Sequence, residues 1–237
     1  MNQQPFDYAT IPVGYYDRVF DSQAGVQSKW HHLKFDRIRA AIVGCRRHLD
    51  IGCSAGTFIG TLDGGSDSVG IDLAEAQIDY ARCHHGGPNR RFEVVPAGPL
   101  PFADGAFDAV TVVELIEHLP EADNLVLLRE AVRVLEPGGR LVVSTPNYGS
   151  LWPLLERLVN RLGEVDYSDQ HITHYTRSRL AVLMAQAGLR DVRVEGYLFA
   201  APFVAALDWR LADRVERLEP RVLTDRLGFL LVATGTK

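Results

Sequence analysis

The sequence predicts an α/β protein built on a parallel sheet with helices on both faces. Short apolar runs of strand length recur between residues 48 and 145, and segments of helical periodicity lie between them. The first run ends in a glycine-rich turn that opens a helix, as strand–helix units of a parallel sheet do. The 237 residues, 46% apolar and 23% charged, are enough for one large core and exclude a disordered chain, a disulfide scaffold and a collagen-like fibre. A net charge of −5 argues against a protein that coats nucleic acid, where a basic footprint is expected. Cys45, Cys53 and Cys83 are few, odd in number and form no C-x-x-C pair, which fits a reducing compartment. The first residues show neither a basic n-region nor an apolar h-region, and no apolar run approaches the roughly 18 residues of a spanning helix. The expectation is a soluble, cytoplasmic protein.

The elements follow in order. Residues 13–42 place Val19, Phe20, Trp30, Leu33, Phe35 and Ile38 at helical spacing, reading as one or two helices in a cap over residues 1–45. His48-Leu-Asp-Ile-Gly-Cys is a buried strand running into the glycine turn. Ser68-Val-Gly-Ile-Asp-Leu, Arg91-Phe-Glu-Val-Val, Ala106–Val113 and Arg140–Thr145 read as four more strands. Between them lie helices at Ala74–His84 and Ala122–Leu135, the second stopped by Pro137-Gly138-Gly139. An irregular stretch, 146–175, precedes a helix over 177–187, a strand near 191–198, an apolar segment at 199–222 and a last strand from Phe229. Residues 46–237 thus read as one domain with substrate-side insertions at 146–175 and 199–222, because loops on a rigid scaffold carry specificity. The apolar run 197–209 fits a buried helix, a substrate lid, an interfacial patch or the face of a homodimer, and the mixed charges after it are poor evidence for anionic membranes.

Asp50-Ile-Gly52-Cys-Ser-Ala-Gly56 lets a ligand approach the backbone at a helix N-terminus. Asp72 ends the next strand, where a carboxylate can accept from both ribose hydroxyls of a nucleoside cofactor. Ser54 stands where a dinucleotide fingerprint wants its middle glycine, so that fingerprint is not met. Four stretches instead resemble, in order and spacing over residues 46–147, a class I S-adenosylmethionine-dependent methyltransferase. They are Leu49-Asp-Ile-Gly-Cys-Ser-Ala-Gly, Val69-Gly-Ile-Asp-Leu-Ala, Leu100-Pro-Phe-Ala-Asp-Gly-Ala-Phe-Asp-Ala-Val and Leu135-Glu-Pro-Gly-Gly-Arg-Leu-Val-Val-Ser-Thr-Pro-Asn. The resemblance implies a Rossmann-like seven-stranded sheet with an antiparallel last strand, and S-adenosylmethionine as cofactor. It implies that Gly52, Cys53, Ser54 and Gly56 wrap the methionine part, with Asp50 holding the turn. It also implies Asp72 on the ribose, Leu73 on the adenine, Ala97 and Gly98 at the adenine edge, and Glu114 bracing the cofactor side. Pro96 stands where many relatives carry an Asp for the adenine amino group.

Glu114-Leu-Ile-Glu117-His118 sets two carboxylates and an imidazole on one side of a single turn. With His171 from Asp169-Gln-His171-Ile-Thr-His174, the set Glu114, Glu117, His118 and His171 is a candidate site for Mg2+ or another divalent cation. The segment resembles small-RNA 2′-O-methyltransferases, which bind magnesium with such a set, and ubiquinone-pathway O-methyltransferases. Two histidines suit manganese, iron or zinc better than magnesium. In the metal-free reading, His118 fixes the loop or serves as a base. Either way His118, His171 and Glu117 are the candidate catalytic residues, because methyl transfer needs a nucleophile held near the methyl and relieved of its proton. Both readings favour oxygen as acceptor. Tyr16, Asn147, Tyr148 and His174 are the candidate substrate contacts, and Lys34 or Arg37 the partner of the cofactor carboxylate. The expected function is O-methylation of a small hydroxylated molecule such as a natural product, sugar or quinone precursor. The alternatives are an RNA 2′-O-methyltransferase, opposed by the net charge, and a non-enzymatic cofactor-binding partner subunit.

Overall fold

A computed structural model describes residues 12–156 and 171–237. The residues 13–42 form two helices, α1 (Tyr15–Asp21) and α2 (Gly25–Ala41), separated by Ser22–Ala24. The chain then alternates through β1 (Arg47–Ile51), α3 (Thr57–Gly60), β2 (Asp67–Asp72), α4 (Glu75–His85), β3 (Arg90–Val94) and β4 (Phe107–Val113). A single 3-10 turn, Ile116–His118, leads to α5 (Glu121–Val134) and β5 (Leu135–Pro146). Past residue 171 come α6 (Arg177–Gln186), β6 (Arg190–Tyr197), α7 (Ala201–Val204), α8 (Trp209–Leu218), α9 (Arg221–Leu227) and β7 (Leu230–Thr236).

Seven strands form one sheet in the order β3-β2-β1-β4-β5-β7-β6. The first five are parallel, and β7 runs antiparallel between β5 and β6. The central strands read as continuous apolar runs because helices cover both faces. One face packs α5 and α6 through Leu128, Ala131, Val134 and Leu180, all at 0% exposure. The opposite face packs α2 and α7 through Leu33, Phe35, Ile38 and Ala201. Strand order reverses between β1 and β4, the switch point where open α/β sheets hold ligands beyond the strand carboxyl ends. Both the glycine turn after β1 and Glu114 after β4 lie there.

Within the sheet, four polar groups run in a line through three strands. Ser68 Oγ lies 3.3 Å from His48 Nδ1, and His48 Nε2 lies 2.8 Å from Thr111 Oγ1. The Thr111 hydroxyl donates to Asp50 Oδ1 at 2.5 Å. Burial pushes the His48 imidazole down to about 4.

Two boundaries differ from the sequence reading. Helix α5 ends at Val134, not Leu135, and β5 begins at Leu135, opposite Phe107. The proline at 137 confines Glu136 to extended backbone, so the helix cannot run up to the proline. The apolar run 197–209 is not one buried helix: Tyr197 ends β6, α7 covers only Ala201–Val204, Leu207 is exposed and Trp209 opens α8. Much of the first insertion, 157–170 with Asp169 in it, lies outside the described residues. Among the described residues no helix is long and apolar enough to cross a membrane.

Candidate active site

The turn after β1 is built from backbone that only glycine adopts easily. Gly52 and Gly56 have φ of +75° and +76°. A Cβ on Gly52 would come within 2.9 Å of the Leu115 side chain, and one on Gly56 within 2.6 Å of Phe92. Asp72 ties this turn to the end of β2. Its Oδ2 accepts from the Ser54 N–H and its Oδ1 from the Ala74 N–H, each at 2.9 Å. Burial raises its carboxyl above the usual aspartate range.

These groups border a cleft of about 830 Å³. From the expected cofactor set, Gly52, Cys53, Ser54, Asp72 and Glu114 line it, and the cap adds Tyr16, His31 and Lys34. Gly56 caps α3 behind the wall, and Asp50 lies buried beneath it, pushed up to about 7 by burial. Leu73 is exposed and is not among the lining residues, nor are Ala97 and Gly98, exposed beyond β3. Lys34 forms an ion pair with Glu114, whereas Arg37 turns away to pair with Glu195. Arg37 is therefore not a candidate for the cofactor carboxylate. The His31 imidazole, held well below its ordinary value by burial and then by Lys34, has a buried Nδ1 with no hydrogen-bond partner among the described residues. An orphaned polar atom on the wall of a glycine-lined cleft fits a polar nucleoside ligand.

Glu114 departs from its expected role as a metal ligand. It sits at φ +49° at the end of β4, and its carboxylate is drawn across the cleft to Lys34. The next turn carries the rest of the motif. Ligand atoms of Glu117, His118 and His171 lie within 4.8 Å of one another. Glu117 is buried, and its Oε2 accepts from the Thr145 hydroxyl at 2.9 Å. Its carbonyl accepts from the N–H groups of Ile172 and Thr173 at 2.9 and 3.0 Å, which docks His171 beside the turn. Asn124 pins the same turn by donating to the carbonyls of Ile116 and Leu119 at 2.7 and 3.1 Å.

Sequence reasoning missed Glu156. It accepts from His171 Nδ1 and, at 2.7 Å, from the Tyr148 hydroxyl. No spacing signal marks it, because a lone acid in an insertion looks like any solvated residue. Burial alone would lower the His171 imidazole, but the bond to Glu156 and the charge of Glu117 carry it above its ordinary value. Burial also pushes Glu117 up to about 7, with Glu114 acting in the same direction against His171.

The substrate candidates divide. Tyr16 lines the cleft, and Tyr148 stands half-buried with its hydroxyl 3.0 Å from His171 Nδ1. His174 is exposed, stacks on Tyr148 at 3.9 Å and lies with Nε2 3.0 Å from the His171 carbonyl oxygen. Asn147 serves the fold: it is buried, its amide donates to the Gly228 carbonyl at 2.8 Å and its oxygen accepts from the Gly149 N–H at 3.0 Å.

Comparison with known proteins follows the same outline. Residues 49–143, from the glycine turn through β5, match the family described as "Methyltransferase domain". A ubiquinone biosynthesis O-methyltransferase of Bordetella avium is 32% identical over 160 residues, 64% of this chain and 65% of that protein. A demethylmenaquinone methyltransferase of Beutenbergia cavernae is 31% identical over 185 residues, 71% of this chain and 75% of that protein. The chain spans just under two thirds of the length of the Bordetella relative. A crystal structure from Thermotoga maritima, described as an S-adenosylmethionine-dependent methyltransferase and possible histamine N-methyltransferase, shares the fold. Its TM-score is 0.65 at 22% identity, covering 94% of each chain. A seven-stranded sheet with an antiparallel β7, a glycine turn at the switch point and relatives of this kind place the chain in one family: it belongs to the class I S-adenosylmethionine-dependent methyltransferases.

Proposed function

We propose that the protein transfers the methyl group of S-adenosylmethionine to a hydroxyl of a small aromatic acceptor of the quinone-precursor type, with a divalent cation held by Glu117, His118 and His171. The observation that carries the reading is the convergence of those three ligand atoms where His118 also lines the cofactor cleft. The names of the Bordetella and Beutenbergia relatives supply the acceptor class. When bound, the cofactor supplies an electrophilic sulfonium methyl, and the protein supplies position and proton handling.

The glycine turn and Asp72 hold the cofactor, while the Lys34–Glu114 pair and His31 close its wall from the cap. One carboxylate and two imidazoles form a set that suits manganese, iron or zinc better than magnesium. A cation held there would lower the pKa of an acceptor hydroxyl. Glu156 behind His171 is the carboxylate partner that orients a ligating imidazole and raises its basicity. Tyr148, beside that histidine, is the candidate acceptor contact on this side.

The test is release of S-adenosylhomocysteine from S-adenosylmethionine and a catechol panel with manganese present. Turnover that stops with a chelator and in Glu117→Gln, while cofactor binding persists, supports the reading. Chelator-resistant turnover removes the metal and leaves His118 and His171 as bases. No turnover with any hydroxylated acceptor overturns the O-methylation reading.

A further inference from the structure

Residues 207–226 sort their charges by partner. The acids are engaged within the fold: Asp213 pairs with Lys29 at 2.5 Å, and Glu216 accepts from the Tyr197 hydroxyl at 3.0 Å. Glu219 accepts from the Ala200 and Ala201 N–H groups at 2.8 Å, and Asp225 pairs with Arg177 at 2.5 Å. Asp208 is exposed but caps α8 through the Leu211 N–H at 2.6 Å. Arg210, Arg214, Arg217 and Arg221 are exposed and have no ion-pair partner among the described residues. Aliphatic side chains of the same segment are exposed as well: Leu207 is 88% exposed, Leu218 80%, Val222 69% and Leu211 44%. Helical spacing explains the grouping. Ala212 of α8 is buried and Val215 packs on the core, so Arg210, Leu211, Arg214, Arg217 and Leu218 share the outer half of the helix.

We infer that this face is a peripheral docking surface for an anionic phospholipid bilayer. The leucines can enter the headgroup–acyl boundary while the guanidiniums pair with lipid phosphates, the two components of interfacial binding. Charge complementarity selects this occupant. A second copy meeting the same face across a two-fold axis would set arginine against arginine. Nucleic acid would use the arginines but would leave four exposed aliphatic side chains without a partner. The face is also rooted beside the cleft. Lys29 holds Asp213 and lies 4.3 Å from the Trp209 ring centroid, and it belongs to α2, the helix that brings His31 and Lys34 to the cleft wall. A bilayer bound here contacts α8, which packs through Asp213 and Trp209 on the helix that walls the cofactor cleft. The inference stands apart from the proposed reaction, because binding is read without turnover.

The test is co-sedimentation of the full chain with phosphatidylcholine vesicles, with and without phosphatidylglycerol. The wild type is expected to partition onto the anionic vesicles and to be released by salt. Arg210→Glu/Arg214→Glu/Arg217→Glu should lose at least about tenfold in partitioning. Leu211→Ser/Leu218→Ser should weaken it with melting temperature unchanged, since these positions are exposed. Equal partitioning of wild type and both variants overturns the inference, as does no binding to anionic vesicles. So does concentration-dependent self-association, or binding to a short RNA, that the variants abolish while no vesicle binding is seen.

Discussion

Lys34 of α2 and Glu114 at the end of β4, 80 residues apart in sequence, form an ion pair across the wall of the cofactor cleft. The ammonium is 3% exposed and the carboxylate 25%, so neither is freely solvated. The pair fastens the cap to the sheet at the switch point and commits the Glu114 carboxylate to Lys34. Removing Lys34 alone, as Lys34→Met, leaves a half-buried carboxylate unpaired and should cost about 2 kcal/mol. Lys34→Met with Glu114→Gln should recover most of that loss. Urea denaturation of the two singles and the double measures the coupling, and additive losses would show that the pair contributes nothing.

Glu117 gives the site its pH dependence. Its carboxyl is pushed up to about 7, first by burial, so at pH 6 most of the population carries a proton that a cation must displace. Manganese affinity should therefore rise about fivefold from pH 6 to pH 7 and about tenfold by pH 8, where it levels off. The sign for folding is the reverse. A carboxyl raised in the folded state binds more protons there than in the unfolded chain, so its contribution to stability falls as pH rises from about 4.5 to about 7. Electron paramagnetic resonance titrations at several pH values read the first effect. In Glu117→Gln the affinity should be low and keep only the pH dependence of the two imidazoles, and a flat profile in the wild type would refute the assignment.

Gly56 offers a test of the glycine turn that does not touch the ligand-facing side chains. An alanine there would sit at φ +76° with its Cβ 2.6 Å from Phe92 and 2.9 Å from the Ala81 methyl. Left-handed strain and overpacking together should cost about 3 kcal/mol. Calorimetry on Gly56→Ala and Gly64→Ala separates the terms, because Gly64 has φ +78° with nothing within 4 Å. Gly64→Ala should lose only the strain, about 1 kcal/mol.

The strand–helix alternation was legible because strands covered on both faces read as unbroken apolar runs, as in Val69-Gly-Ile and Val110-Thr-Val-Val. The start of β5 was hidden, since Glu136-Pro-Gly-Gly is turn chemistry even though Leu135 is fully buried. In the site, Glu117 and His118 could be joined because they share one turn. The diversion of Glu114 could not be foreseen, because the lysine responsible comes from another element. Asn147 likewise looked available until the Gly228 carbonyl, 81 residues on, took its amide. For residues 207–226 the sequence displays composition alone. Which carboxylates find a partner depends on Lys29, Tyr197 and Arg177, all outside the segment.

The line of polar groups through β2, β1 and β4 bears on strand alignment. His48 is neutral at ordinary pH, and Thr111 spends its proton on Asp50. The imidazole must then donate from Nε2 to the threonine oxygen and accept from Ser68 at Nδ1, which fixes one tautomer and one donor direction. Strands that are apolar on both sides define their mutual register weakly, because a slip exchanges one greasy face for another. Here His48 sits opposite Ser68, and Asp50 opposite Thr111, in the observed pairing. A one-residue slide of either neighbour would carry its hydroxyl to the other face and strand the imidazole and the carboxylate in the core. Chemistry, and not greasiness, tells these three strands where to stop.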